Sequence, residues 1–264
     1  MVVGMQLAVH ETGHGPRTAI LIHGIMSDSR AWHRVVAELV AKDVRVIAVD
    51  LAGHGKSARS ARYSPKAWAD DVVETVEPLL TGAPDVVMGH SLGGLVASLV
   101  ADRLAPRAAI YIDPAFSFPK GPYGWLMKLA FALMPRPKRS ALVRMNPKWH
   151  ADDVDIELAT LRDWDKRTIL GLADSRALVP PSQPAMPSLV VLAEKSLLIT
   201  KKVAAQMRAD GLTVATVPGT GHTVFRDDHA GFMETIRTWV ASLALQPEPA
   251  LATVPIRATV PIRD

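Results

Sequence analysis

Residues 86–104 read VVMGHSLGGLVASLVADRL. A β-branched apolar run stops at Gly89-His90-Ser91-Leu92-Gly93, and a helical pattern follows at once. The pentad fits G-x-S-x-G in the context that gives it meaning: it follows a strand and opens a helix. Such a sharp strand-to-helix turn forces Ser91 into a strained backbone conformation. Neighbouring side chains would clash there, so glycines flank it. Ser91 Oγ then stands exposed above the sheet, with the free N–H groups of the helix N-terminus behind it. Gly94, Ala97 and Ser98 are small enough to let that helix pack closely.

A serine hydroxyl is a weak nucleophile and needs a base. Nine histidines are available. His222, in VPGTGHTVF, follows the last strand pattern and precedes the last helix, so it falls on a loop at the edge where Ser91 sits. His90 is expected to point away from Ser91 across the turn. His229 is expected to begin the final helix. An oxyanion would need two preorganised donors. Leu92 N–H follows the nucleophile, and Ile25 N–H follows His23-Gly24 after the first central strand pattern.

Outward from this turn, strand patterns alternate with helical ones. Strands are expected at 18–24, 44–50, 85–90, 108–113, 188–193 and 212–218, and helices at about 29–41, 65–80, 92–104, 197–210 and 229–243. Several strands are near-continuous apolar runs, as expected when both faces are buried. The alternation predicts a mostly parallel, doubly wound α/β sheet, with ligands bound beyond the carboxyl ends of its strands. It breaks at 118–187, a proline-flanked stretch of helical pattern carrying Trp125, Met127, Phe131, Met134, Trp149 and Trp164. This predicts an inserted helical cap between two parts of a core, 1–117 and 188–245. The remainder, 246–264, reads as a tail containing the duplication ATVPIR-ATVPIR.

These residues, in this order, resemble the α/β-hydrolase superfamily. The resemblance runs from about residue 5 to 244 and includes GHSLGG, LIHGIMSDSRAW, VIAVDLAGHGKS and GTGHTVFRDDHAGF. It implies a serine hydrolase whose insert is the cap or lid, and an architectural loop at Asp50–Ser57, so His54 and Ser57 are not assigned chemistry. The chain departs from the family's pattern at VVLAEKS (190–196). Where relatives carry the triad aspartate, this chain has Ser196, which cannot balance an imidazolium as a carboxylate does. Two acids remain in view. Asp113 ends the strand after the nucleophile helix, where some members of the superfamily place their acid. Glu194 is the local challenger, immediately at the strand end. The expected catalytic set is therefore Ser91, His222 and Asp113, with Glu194 open as the acid.

The resemblance leaves the substrate open. Esters of a largely apolar small molecule lead. Thioesterase, lactonase and carbon–carbon bond hydrolase or lyase chemistry are hosted by the same scaffold. A non-catalytic ligand-binding homologue is the reading from another class. No P-loop, dinucleotide fingerprint or metal-ligand spacing is present, so no cofactor and no metal are implied. The chain of 264 residues has no cysteine, which excludes disulfides and thiolate catalysis. Its formal net charge of +4 is unevenly placed. Lys120, Lys128, Arg136, Lys138, Arg139, Arg144 and Lys148 precede an acidic stretch from Asp152 to Asp165. Either these are two solvated faces, or the basic one docks an anionic partner such as a carrier protein or a coenzyme A thioester. No nucleic-acid motif is present. The N-terminus does not resemble a signal peptide, and no run is long enough to span a membrane, so a cytoplasmic protein is expected.

Overall fold

The computed structural model describes residues 5–116, 126, 129–130, 133, 135–173 and 181–244. Seven strands form one sheet: β1 (Ala8–Thr12), β2 (Arg17–Ile22), β3 (Val44–Asp50), β4 (Val86–His90), β5 (Ala108–Ile112), β6 (Ser188–Ala193) and β7 (Thr213–Val217). Their spatial order is β1-β3-β2-β4-β5-β6-β7. Only the β1–β3 pairing is antiparallel.

Side chains alternate across a strand, so each β-branched run feeds two cores. In β2, Ile20 and Ile22 join the cluster on one face, while Ala19 and Leu21 join the cluster on the other. In β6, Val190 and Leu192 face one way and Leu189, Val191 and Ala193 the other. Helices α2 (Pro65–Val76) and α3 (Leu92–Leu104) cover the first face. On the second lie α1 (His33–Val40) and the long C-terminal helix named below. The start of α2 is set locally: Ser64 Oγ accepts from Ala67 N–H at 3.1 Å, with Pro65 in the first turn.

Some expected boundaries shift. The first central strand ends at Ile22, which puts His23 and Gly24 in the loop beyond it. The helix expected at 29–41 is a 3₁₀ turn (Ser29–Trp32) followed by α1. Strand β1 was not expected. Its sequence AVHET is short and half polar because it lies at the sheet edge and is held by a single partner.

Between β5 and β6, the described residues include α4 (Arg139–Met145), α5 (Ala151–Asp163) and a 3₁₀ segment (Lys166–Ala173). After β6 come α6 (Lys201–Ala209), α7 (Val224–Asp227) and α8 (His229–Ala244), the last beginning at His229. The tail with its duplication lies outside the described residues, as do Lys120 and Lys128. Among the described residues, no helix is long and apolar enough to cross a membrane. Of the basic stretch, Arg139 pairs with Asp155 at 2.9 Å, Arg136 donates to Leu161 O at 2.8 Å, and Lys148 donates to Gly219 O. All three are exposed, each with a bond to the protein surface.

Candidate active site

Ser91 joins β4 to α3 at φ 53° and ψ −118°. A non-glycine residue in this region costs about 1–3 kcal/mol, which the surroundings must offset. Two backbone bonds do so across the turn. Ser91 N–H donates to Ile112 O, and Ala115 N–H donates to Ser91 O, both at 2.9 Å. The glycines have steric reasons. A Cβ at Gly89 would lie 2.0 Å from Gly93 O, and one at Gly93 would lie 2.1 Å from Ile22 O.

The same bonds tie the turn to the end of β5, where Asp113 also has positive φ, at 36°. Asp113 is fully buried. Its N–H donates to Val191 O at 2.8 Å, and its Oδ1 accepts from Ala193 N–H at 3.3 Å. Its Oδ2 lies 2.6 Å from His222 Nδ1. The histidine side chain is 41% exposed while the carboxylate is sealed, so one end of the pair faces the cavity and the other is held rigidly. Glu194 is exposed at the end of β6. Ser196 caps the following turn, its Oγ accepting from Ile199 N–H at 3.0 Å and Leu198 N–H at 3.3 Å.

A cavity of about 360 Å³ opens beyond the strand ends. Ser91, Leu92, Ile25, Met26 and His222 line one side of it. Met26, in the cavity wall, is also a non-glycine residue at positive φ, 68°. Residues 19–235 match the sequence profile described as the Alpha/beta hydrolase family. The chain belongs to the alpha/beta hydrolase family.

The chain is 35% identical over 105 residues to the lipase LipV of Mycobacterium tuberculosis, a match covering 38% of each chain. It is 35% identical over 122 residues to the pimeloyl-[acyl-carrier protein] methyl ester esterase of Vibrio atlanticus, covering 44% of each. It thus spans less than half the length of either relative. Among solved structures, the esterase EaEST from Exiguobacterium antarcticum superposes with a TM-score of 0.75 at 19% identity, over 91% of this chain and 97% of that one. That likeness is one of fold.

Buried histidines brace the loops around the cavity. His23 lies between Gly24 O, 2.7 Å from its Nδ1, and Leu51 N–H, which donates to its Nε2 at 2.9 Å. It thereby fixes the Ile25 loop in place. Asp50 accepts from Ser29 N–H and Lys56 N–H at 2.8 and 2.9 Å, and Ser57 Oγ donates to Asp50 O, so Asp50–Ser57 is a folded support. The His90 ring lies 4.7 Å from that of His222, and its Nε2–H donates to His222 O at 2.9 Å. The turn directs His90 to the histidine loop, a contact between residues 132 apart that no local pattern signals.

Burial lowers the pKa of His23, drives that of His90 well below the ordinary histidine value, and brings that of His54 to about 3. All three are therefore neutral in the fold. Unfolded, each titrates near pH 6.5, so below that pH the unfolded chain binds more protons. Their stabilising contribution is complete above about pH 6.5 and is lost as pH falls toward the folded values. The urea midpoint at pH 5.5 is expected to fall below that at pH 7.5, with each histidine contributing up to about 1.4 kcal/mol per pH unit. A midpoint that held or rose would contradict this.

The insert grips the histidine loop. Trp149 Nε1–H donates to Asp227 Oδ1 at 3.0 Å, and Asp227 Oδ2 accepts from Gly221 N–H, next to His222, at 2.6 Å. Arg226 stacks over Trp149 at 4.6 Å, donates to Glu157 Oε2 at 2.6 Å, and lies 3.6 Å from Asp153. Arg34 also pairs with Asp153. Trp149→Phe keeps the ring over Arg226 but removes the donor. It is expected to cost about 1–2 kcal/mol in urea unfolding, and an unchanged midpoint would show that the contact contributes nothing.

His33, Asp152 and Asp153 bring possible ligand atoms within 4.8 Å of one another. With Arg34 and Arg226 both beside Asp153, the site already holds its cations, and the cluster reads as an ion network. Of the insert's aromatic residues, Trp164 is buried and donates to Thr168 Oγ1 at 2.6 Å, and Trp149 packs on Arg226. Trp125, Met127, Phe131 and Met134 lie outside the described residues. The insert lines the cavity with Glu157, Ile169 and Leu172.

Proposed function

We propose that the protein is a serine hydrolase that cleaves a carboxylic ester of a largely apolar small molecule through an acyl-enzyme. One observation carries the reading. Ser91, His222, Leu92 and Ile25 converge on one cavity, and Asp113 stands 2.6 Å behind the histidine.

Ser91 Oγ attacks the ester carbonyl while His222 Nε2 takes its proton. Asp113, held at Nδ1, keeps the tautomer and balances the imidazolium that forms. Ile25 and Leu92 N–H groups receive the oxyanion, each contributing about 10²–10³ in rate. His222 returns the proton to the leaving alcohol. It then takes one from water as the water attacks the acyl-enzyme, and gives that proton to Ser91 Oγ as the acid leaves. The cavity wall of Ala115, Ile169, Leu172, Leu198 and Phe225 supports an apolar substrate. The Vibrio relative's printed activity, on an ester carried by an acyl-carrier protein, supports a carrier-bound ester as the second reading.

A fluorophosphonate probe tests the first reading directly. The expected result is stoichiometric labelling of Ser91 in the folded protein and none after unfolding. Absence of labelling in the folded protein would favour the ligand-binding alternative. Salt-sensitive turnover of carrier-bound esters, beside salt-insensitive turnover of free ones, would favour the second reading.

A further inference from the structure

We propose that Glu157 sets the specificity of the cavity. It selects an ester that carries a neutral hydrogen-bond donor, a hydroxyl or amide N–H, on the part facing the insert, and it turns away one that carries a carboxylate there. The inference rests on the ester-hydrolase reading above and names a substrate class for that site.

Glu157 projects from α5 into a wall that is otherwise mostly apolar. Arg226 lines the cavity beside it but is closed off, since its side chain is 2% exposed and its Nε and Nη2 are buried. Glu157 is 16% exposed. The charged surface that a ligand meets is therefore the carboxylate, not the guanidinium. Only Oε2 accepts from Arg226 among the described residues, which leaves Oε1 for a ligand. An ionised carboxylate accepts and never donates. A donor brought against it forms a charge-assisted hydrogen bond. A plain alkyl chain covers the carboxylate without replacing its water. A second carboxylate meets like charge in an apolar setting. Arg226 already balances the charge of Glu157, so a neutral donor completes the site better than another cation. Glu157 lies 69 residues before its partner Arg226, and nothing in the local pattern of α5 separates it from the helix's other acids.

The test uses six esters on the full chain, with the distinguishing group on either side of the ester bond. Methyl 6-hydroxyhexanoate, methyl hexanoate and methyl hydrogen adipate vary the acyl part. Their counterparts 6-hydroxyhexyl acetate, hexyl acetate and 6-acetoxyhexanoate vary the alcohol part. In at least one set, kcat/KM is expected to be about 10-fold higher for the hydroxy ester than for the alkyl one, and lowest for the carboxylate. Glu157→Leu should remove or invert the hydroxy preference, and Glu157→Gln should relieve the penalty on the carboxylate ester. Ratios within one preparation do not depend on how much of a variant folds. Unchanged ratios in both variants, or a carboxylate ester preferred by the wild type, would overturn the assignment. Calorimetric binding of the same esters to Ser91→Ala, with and without Glu157→Leu, ranks them without turnover. Loss of turnover with this ranking intact would sink the hydrolase reading alone. Turnover without the ranking would sink the role of Glu157 alone.

Discussion

Ser91→Ala is expected to lower kcat for p-nitrophenyl esters by roughly 10⁴–10⁶-fold while the protein stays folded. Alanine removes the only atom that forms the acyl-enzyme. The rest of the site stays in place, so a residual rate from oxyanion stabilisation and binding should persist above the uncatalysed reaction. The backbone at residue 91 keeps its bonds to Ile112 O and from Ala115 N–H, because neither uses the side chain. The urea midpoint should therefore remain close to that of the wild type. Burst-phase release of p-nitrophenol followed by a slower steady rate would identify the acyl-enzyme in the wild type. A variant retaining more than about one tenth of the wild-type kcat would rule out Ser91 as the nucleophile.

The second large effect separates two acids. Asp113→Asn is expected to cost roughly 10²–10⁴-fold in kcat, and Glu194→Gln less than about 2-fold. His222 Nδ1 meets Asp113 Oδ2 at 2.6 Å inside a sealed pocket, whereas Glu194 lies in solvent. An asparagine there cannot balance an imidazolium. It can also turn its amide toward Nδ1 and hold the ring in the wrong tautomer. Loss of activity in Glu194→Gln with full activity in Asp113→Asn would reverse the assignment. Equal, small losses in both would mean that His222 works without a carboxylate partner.

Much of the fold was legible because its causes are local. VVMGHSLGG encodes a strand, a turn crowded enough to demand glycine and a helix start, all within nine residues. The buried strands read as apolar runs because cores lie on both faces of the sheet. β1 escaped notice since an edge strand with one partner needs no such run. The contact of His90 was not legible because its partner, His222 O, belongs to another loop. Glu157 went unnoticed among the acids of α5, and burial of Arg226 is what distinguishes it.

The sequence by itself determined the elements and the nucleophile turn, since these follow from sterics and side-chain periodicity over a few residues. It left the partner of His222 open between Asp113 and Glu194, and the contact that forms is tertiary. Asp113 and His222 are 109 residues apart. They meet because β6 and β7 pair beside β5 in register, which carries the histidine loop over the end of β5. Placing a carboxylate at a strand end is a local matter. Whether it is sealed against an imidazole or left in water depends on which strands lie side by side.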